Sequence, residues 1–343
     1  MPTQQVTNRE TDPESGPTLF ESTAWRRVIE KTYGFTFHRA CLEQNETESS
    51  AQLLFATTES DLRPRAVSLP FADYVDTDSL EPETYRQLAR EVKESFPATP
   101  LVLKTSYPHD TTGLGNCVRR AYCHRVDTAS QDTVMNNLTS SYRNKVRQAK
   151  RADVSAERKT SEGAIMHTFY ELHRALRFEK FGKVPQPKSF FRAIYEEFVS
   201  KGKGFVMSAQ RNGETIAALV ALEHEEVVYY KFSASAKEHL EYRPNNLLTY
   251  ELLQYAAERE FSAVDLGLSG AGKSYRGLRK FKESFGGQPF PITYFRVDPP
   301  GHDEAKENEL DDLLGQLTET VVEQRLDAED TDAVSEILYP YCA

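Results

Sequence analysis

Residues 267–274 read "GLSGAGKS", the G-x-x-x-x-G-K-[ST] spacing of a phosphate loop. In such a loop backbone N–H groups wrap the phosphates, the Lys reaches the outer phosphates and the Ser or Thr hydroxyl binds Mg²⁺. That chemistry needs a parallel sheet around the loop and a further strand ending in Asp for the metal. "FSAVDLG" just upstream reads as a strand, but the strands before it read as hairpins, and the chain after Ser274 is mostly acidic. The match is therefore read as fortuitous, without Mg²⁺-dependent nucleotide binding through Lys273.

The helix that follows, "SYRGLRKFKESFG", carries more information. At 100° per residue from Tyr275, Leu278, Phe281 and Phe285 fall at about 300°, 240° and 280°, one apolar face. Lys282 falls inside that face at about 340°, Arg279 at its edge and Lys280 on the opposite side. A buried ammonium is costly without a partner. Lys282 thus snorkels, pairs with an internal carboxylate, or faces a pocket that receives an anion. Tyr275 and Arg279 would border such a pocket. Asp265 reads as a strand-end turn former.

Other candidates are spread along the chain. Asp73, in "LPFADY", is either a turn former or a carboxylate that orients an acceptor amine. Arg143 and Arg147 share one helix face, which is solvated or grips an anion. Tyr229 and Lys231 alternate with Tyr230 on a strand, one side core and the other cleft. Asn245 and Asn246 either cap the following helix or bind substrate. The four cysteines form no C-x-x-C pair and H-E-x-x-H is absent, so no metal site or disulfide framework is expected.

The elements that must position these residues follow from periodicity and punctuation. Helices are expected over 22–34, 81–96, 140–154, 162–182, 187–202, 245–260 and 274–286. Strand-like stretches cover 35–44, 51–58, 65–74, 100–107, 116–127, 204–213, 214–225, 226–235, 262–268 and 290–297. Both halves run antiparallel strands, then a helix, then a strand, so two similar mixed α/β domains are expected. Residues 1–17 are polar and expected to be disordered, 18–138 and 139–297 form the domains, and 298–343 is an acidic tail with one peripheral helix. The 343 residues, with 19 Phe and 17 Tyr, can fill a sizeable core. A formal net charge of −10 disfavours DNA or other nonspecific nucleic-acid binding. No apolar run reaches the ~18 residues that span a bilayer, and a secretory signal is not visible, so a cytoplasmic location is expected.

"DLGLSGAGKSYRGLRKFKESFGG" resembles the closing segment of FemAB-like proteins: a strand ending Asp-Leu-Gly, a variable loop, then Gly-Leu, Phe-Lys and Phe-Gly. "SLPFADY", "SYRNKVRQAKRADV" and "YYKFSAS…YRPNNLLTYELLQYA" resemble other parts of that family in the same order, over roughly residues 18–297. The resemblance implies two GNAT-type (α+β) domains, each a mixed, mainly antiparallel sheet flanked by helices. It also implies acyl transfer, with a Lys matching Lys282 tied to catalysis and basic residues tied to precursor phosphates. The donor would be aminoacyl-tRNA or acyl-CoA, with no tightly bound cofactor, and the acceptor an amine of a cell-envelope precursor or similar molecule. The GNAT pyrophosphate-loop pattern is absent where "YRPNNLL" stands. Alternatives are an acetyl-CoA-dependent N-acetyltransferase acting on an amino sugar or small amine, and a non-catalytic double-GNAT protein that only binds ligand. No Ser-His-Asp or Cys-His arrangement is legible, which favours direct attack without a covalent enzyme intermediate.

Overall fold

The structure is a computed structural model that describes residues 16–42, 51–58, 62–77, 79–106, 113, 115–324 and 326–342. Most of the N-terminal stretch expected to be disordered therefore lies outside the described residues. The elements run α1 (Thr23–Tyr33), β1 (Thr36–Leu42), β2 (Ala51–Thr57), β3 (Ala66–Ser68), α2 (Pro82–Ser95), β4 (Leu101–Thr105) and β5 (Asn116–Asp127). Next come α3 (Gln131–Asn137), α4 (Ser140–Arg151), β6 (Ser155–Lys159), α5 (Tyr170–Phe181), α6 (Lys188–Glu197), β7 (Gly204–Arg211), β8 (Glu214–His224) and β9 (Val227–Ser235). The chain closes with α7 (Pro244–Glu258), β10 (Ala263–Gly270), α8 (Arg276–Glu283), β11 (Gln288–Val297), α9 (Glu304–Gln324) and α10 (Ala328–Leu338).

Local chemistry sets several boundaries. The Ser22 hydroxyl accepts the Trp25 N–H at the start of α1, and Gly34 ends that helix in the left-handed region. Pro82 opens α2, where its missing N–H costs nothing.

Two compact units emerge. The first comprises residues 1–122, 290–312 and 339–343; the second comprises 123–289 and 313–338. The division falls inside β5 rather than at 138, and the chain after 297 is shared out between the units. In the first unit β1, β2 and β3 pair antiparallel, β3 runs parallel to β4 after the α2 crossover, and β11 adds antiparallel to β4. Its core packs Tyr85, Leu88 and Val92 of α2 on Leu53, Phe55, Leu103 and Phe295. In the second unit β6, β7, β8 and β9 pair antiparallel, and β10 returns parallel to β9 after α7. Its core sets Leu248, Leu252 and Ala256 of α7 and Tyr142 and Val146 of α4 against Val206's neighbours Phe205 and Met207, Leu219 and Val264. Both units thus show the expected mixed, mainly antiparallel pattern.

The acidic tail differs from expectation. It forms two helices, and each has anchors. Glu307 of α9 accepts from Arg63, Arg65 and Arg296 in the first unit. Val321 and Leu338 are buried with Val184 in the second. The acids of this segment find arginines far away in sequence, which a reading along the chain does not reveal. No helix among the described residues is long and apolar enough to cross a membrane.

Candidate active site

The site lies in the second unit, where β9 and β10 part. They pair at three positions only, Ala263 with Val227, Val264 with Val228 and Asp265 with Tyr229. Then β10 bends at Gly267, whose φ of +71° suits glycine. The Asp265 carboxylate closes this bend by accepting the Gly267 N–H at 2.7 Å. On β9 the pairing with β8 steps from Phe232 to Tyr230, leaving Lys231 as the extra residue of a bulge.

A cavity of about 390 Å³ opens there, between the N-terminus of α7 and the apolar face of α8. From α8 and its end come Leu278, Phe281, Lys282 and Phe285; from α7 come Asn245, Asn246 and Thr249; β9 supplies Tyr230 and Ser233. Lys180, Arg243 and Lys282 are its charged residues, and no carboxylate lines it.

Lys282 is 6% exposed, so it does not snorkel. Its Nζ donates to the carbonyls of Gly267 and Leu268, at 2.8 and 2.9 Å. Arg279 donates to the carbonyls of Gly270 and, at 3.1 Å, Gly272. Two cations of α8 thereby grip the carbonyl side of the segment that matched the phosphate-loop pattern. A phosphate loop does the reverse and turns its N–H groups to the anion. The first four residues of the match are strand, and Lys273 lies exposed in a short 3₁₀ turn.

Asn245 and Asn246 do not cap α7. The capping position belongs to Arg243, in the left-handed region, and Pro244 opens the helix. This frees both asparagine side chains for the cavity. Asn245 Nδ2 donates to Ser235 Oγ at 3.1 Å, while its Oδ1 is buried without a partner. Asn246 is 7% exposed and its Nδ2 has no partner. An unsatisfied buried donor is expensive, and a ligand acceptor would relieve it. Tyr142 fixes Asn246 from behind: its hydroxyl donates to the Asn246 carbonyl and its ring meets Phe285 edge-on at 4.4 Å.

His124 of β5 is fully buried, with neither ring nitrogen bonded. Burial, and then the Lys282 and Arg279 charges, push its pKa down to about 4. Burial also raises the pKa of the Tyr230 phenol. No sequence signal marked Tyr142 or His124, because α4 and β5 reach the site from far along the chain.

The other candidates stand elsewhere. Tyr229 is buried away from the cavity and Lys231 lies over the Phe232 ring, so the strand presents Tyr230 instead. The bulge at Lys231 breaks the simple alternation. Tyr275 packs on Gly270, where an added Cβ would lie 2.6 Å from its ring, and does not line the cavity. Arg143 donates to the Met135 carbonyl and Arg147 to Asn144 Oδ1, both outside the cavity. Asp73 belongs to the first unit. It follows a turn whose Leu69 and Ala72 carbonyls accept from the buried Lys104 ammonium, the latter at 2.9 Å. Among the described residues no cluster could hold a metal ion.

Residues 137–282 match the family model described as an acetyltransferase (GNAT) domain. No curated protein matches the sequence. Among solved structures, FemX aligns with a TM-score of 0.61 at 16% identity, covering 84% of this chain and 94% of that one. A tandem GNAT protein from the clavulanic acid biosynthesis pathway aligns with a TM-score of 0.54 at 13% identity, covering 86% and 92%. L-PGS from Bacillus licheniformis aligns with a TM-score of 0.50 at 12% identity, covering 92% of this chain and all of that one. At these identities the likeness is one of fold. Residues 137–282 thus form a GNAT-type domain, and the fold of the chain is like that of FemX and of the tandem GNAT protein, as the closing motif led one to expect.

Proposed function

We propose that the protein is an acyltransferase whose Lys282 cavity receives a phosphate-bearing acyl donor, from which an amine takes the acyl group by direct attack. The observation that carries this reading is the cavity between the parted strands β9 and β10. Three cations and an unpartnered Asn246 Nδ2 line it, and no carboxylate does. Such a lining favours an anion over a cation, and aminoacyl-tRNA and acyl-CoA both carry phosphates. In the reaction the amine nitrogen attacks the acyl carbonyl, forming a C–N bond. The C–O bond of an aminoacyl ester, or the C–S bond of a thioester, breaks. The amine gives up a proton to solvent and the leaving oxygen or sulfur gains one. Lys282 meets the negative charge that develops, and Asn246 Nδ2 offers a positioned neutral donor. The FemAB-like fold favours an aminoacyl donor and a cell-envelope amine acceptor; the acetyltransferase family match favours acetyl-CoA and a small amine.

The test is a transfer assay read by mass spectrometry, with acetyl-CoA and aminoacyl-tRNA as donors over a panel of amines. With the donor found, Lys282→Met should lower kcat by roughly 10²- to 10³-fold, the usual loss for one positioned electrostatic donor. Lys280→Met, on the exposed face of α8, should change little. Circular dichroism must show both variants folded. Equal rates in the two would remove Lys282 from the chemistry. Failure of every donor to bind or react would leave the non-catalytic reading.

A further inference from the structure

A larger cavity, about 840 Å³, lies in the same unit between α5, the start of β8 and the end of β9. It shares Lys180 and Leu240 with the Lys282 cavity, so the two adjoin. Their linings differ in character. Leu172 and Leu176 sit one helical turn apart on α5 and, with Leu240, make an aliphatic wall. Glu171, Glu179, Glu214 and Glu238 stand around it, against Lys180 and Lys237. Glu171 is paired with Arg174, and Glu214 lies 3.6 Å from His239. Glu179 and Glu238 make no ion pair among the described residues. The chain enters α5 through a π-turn, Ala164–Phe169, which places His167 and Thr168 on the wall. Such turns recur where a helix has been adjusted for function.

We propose that this cavity binds an aliphatic diamine or polyamine chain. One ammonium sits between Glu179 and Glu238, and the methylene stem lies on Leu172, Leu176 and Leu240. The second nitrogen reaches the wall shared with the cation-lined cavity. The pair of cavities then sorts two substrates by charge, the phosphate-bearing donor in one and the cationic acceptor in the other. The identification of the bound amine as acceptor rests on the acyltransfer reading above; its binding does not. A diamine also answers a chemical requirement. A single amine held as an ammonium by carboxylates could not attack, whereas a diamine anchors through one nitrogen and deprotonates at the other.

Calorimetric titration of the full chain, without donor, tests the site with hexane-1,6-diamine, hexylamine and adipate. Both amines should bind, because they share the anchored ammonium and the methylene stem, and adipate should not. Glu179→Gln combined with Glu238→Gln should weaken the diamine and hexylamine alike, by roughly tenfold, since both lose the two exposed charge contacts of the anchored ammonium. Leu176→Ala should weaken both amines. Added salt should weaken both amines, since each is anchored by the same ion pair. Undiminished diamine affinity in the double glutamine variant, adipate binding as well as the diamine, or no saturable binding up to roughly 10 mM would overturn the proposal. Because no donor is present, these outcomes are independent of the Lys282→Met result.

Discussion

Main-chain groups hold Lys282: its ammonium donates to the Gly267 and Leu268 carbonyls. Asp265 is 1% exposed and bonds the Gly267 N–H, which turns the Gly267 and Leu268 carbonyls toward the ammonium. Asp265 is thus a positioning residue for Lys282. Asp265→Ala deletes the acceptor and leaves a buried N–H, so it should lower unfolding free energy by about 1–3 kcal/mol. It should also lower kcat, because the carbonyls move. Asp265→Asn keeps an oxygen at the same place and should restore most of both. Urea denaturation and the transfer assay check this; an equal loss in Ala and Asn would mean that the negative charge facing Arg125, 3.7 Å away, matters more than the bend. Much of this site was legible in one helix. The 100° wheel put Lys282 among Leu278, Phe281 and Phe285, and all four line the cavity. What the sequence hid were side chains delivered by other elements: Lys180, Tyr142 and His124 have ordinary surroundings in the chain and acquire their meaning only from packing.

At the scale of elements, the strong periodicities held and the weak ones did not. The α1, α2, α4, α7 and α8 stretches were legible because apolar residues recur on one face and caps or prolines mark the ends. Helix α3 was missed because its seven residues bury only Val134. Strand β6 was missed because "SAERK" is a polar edge with no alternation. Conversely, 65–74 looked like one strand, but only Ala66–Ser68 pairs, since Lys104 draws the following carbonyls into a turn. The end of α8 offers a test of how tightly the site's helix is seated. Gly286 has φ +90°, and an added Cβ would sit 2.6 Å from the Cβ of Asn137 on α3. Gly286→Ala should cost about 1–3 kcal/mol from backbone strain alone, plus displacement of α3. Gly34→Ala, left-handed but facing open space, should cost less. Urea midpoints decide; equal losses would mean that α3 yields freely.

Across the whole molecule, the two units should answer acid in opposite senses. In the second, burial holds the pKa of His124 and of His173 down to about 4, the latter despite a 2.8 Å bond to Gln186. Both are neutral when folded, so their contribution is full above about pH 6.5 and is lost as pH falls toward 4. The slope is about 1.4 kcal/mol per pH unit for each. In the first unit, burial raises the Glu21 carboxyl to about 7, although the Asp76 N–H and Thr18 hydroxyl donate to it. Its contribution is full below about pH 4.5 and is lost as pH rises through 7. Hydrogen-exchange protection between pH 7 and 5 should therefore fall in the second unit and rise in the first. Glu21→Gln should remove the rise, and at pH 8 it should stabilise the first unit. Parallel responses of both units would contradict these assignments.

The first unit is also built from three separated stretches of chain, and this bears on its synthesis. During translation β4 emerges early, yet its antiparallel partner β11 lies beyond the whole of the second unit's main segment. At ordinary elongation rates the wait is on the order of ten to forty seconds. Throughout it, one side of β4 offers unpaired N–H and C=O groups, a ready template for another strand. The N-terminal unit therefore cannot mature as it leaves the ribosome, and a nascent chain halted after β5 exposes a sticky edge that only the late arrival of residues 293–297 can seal.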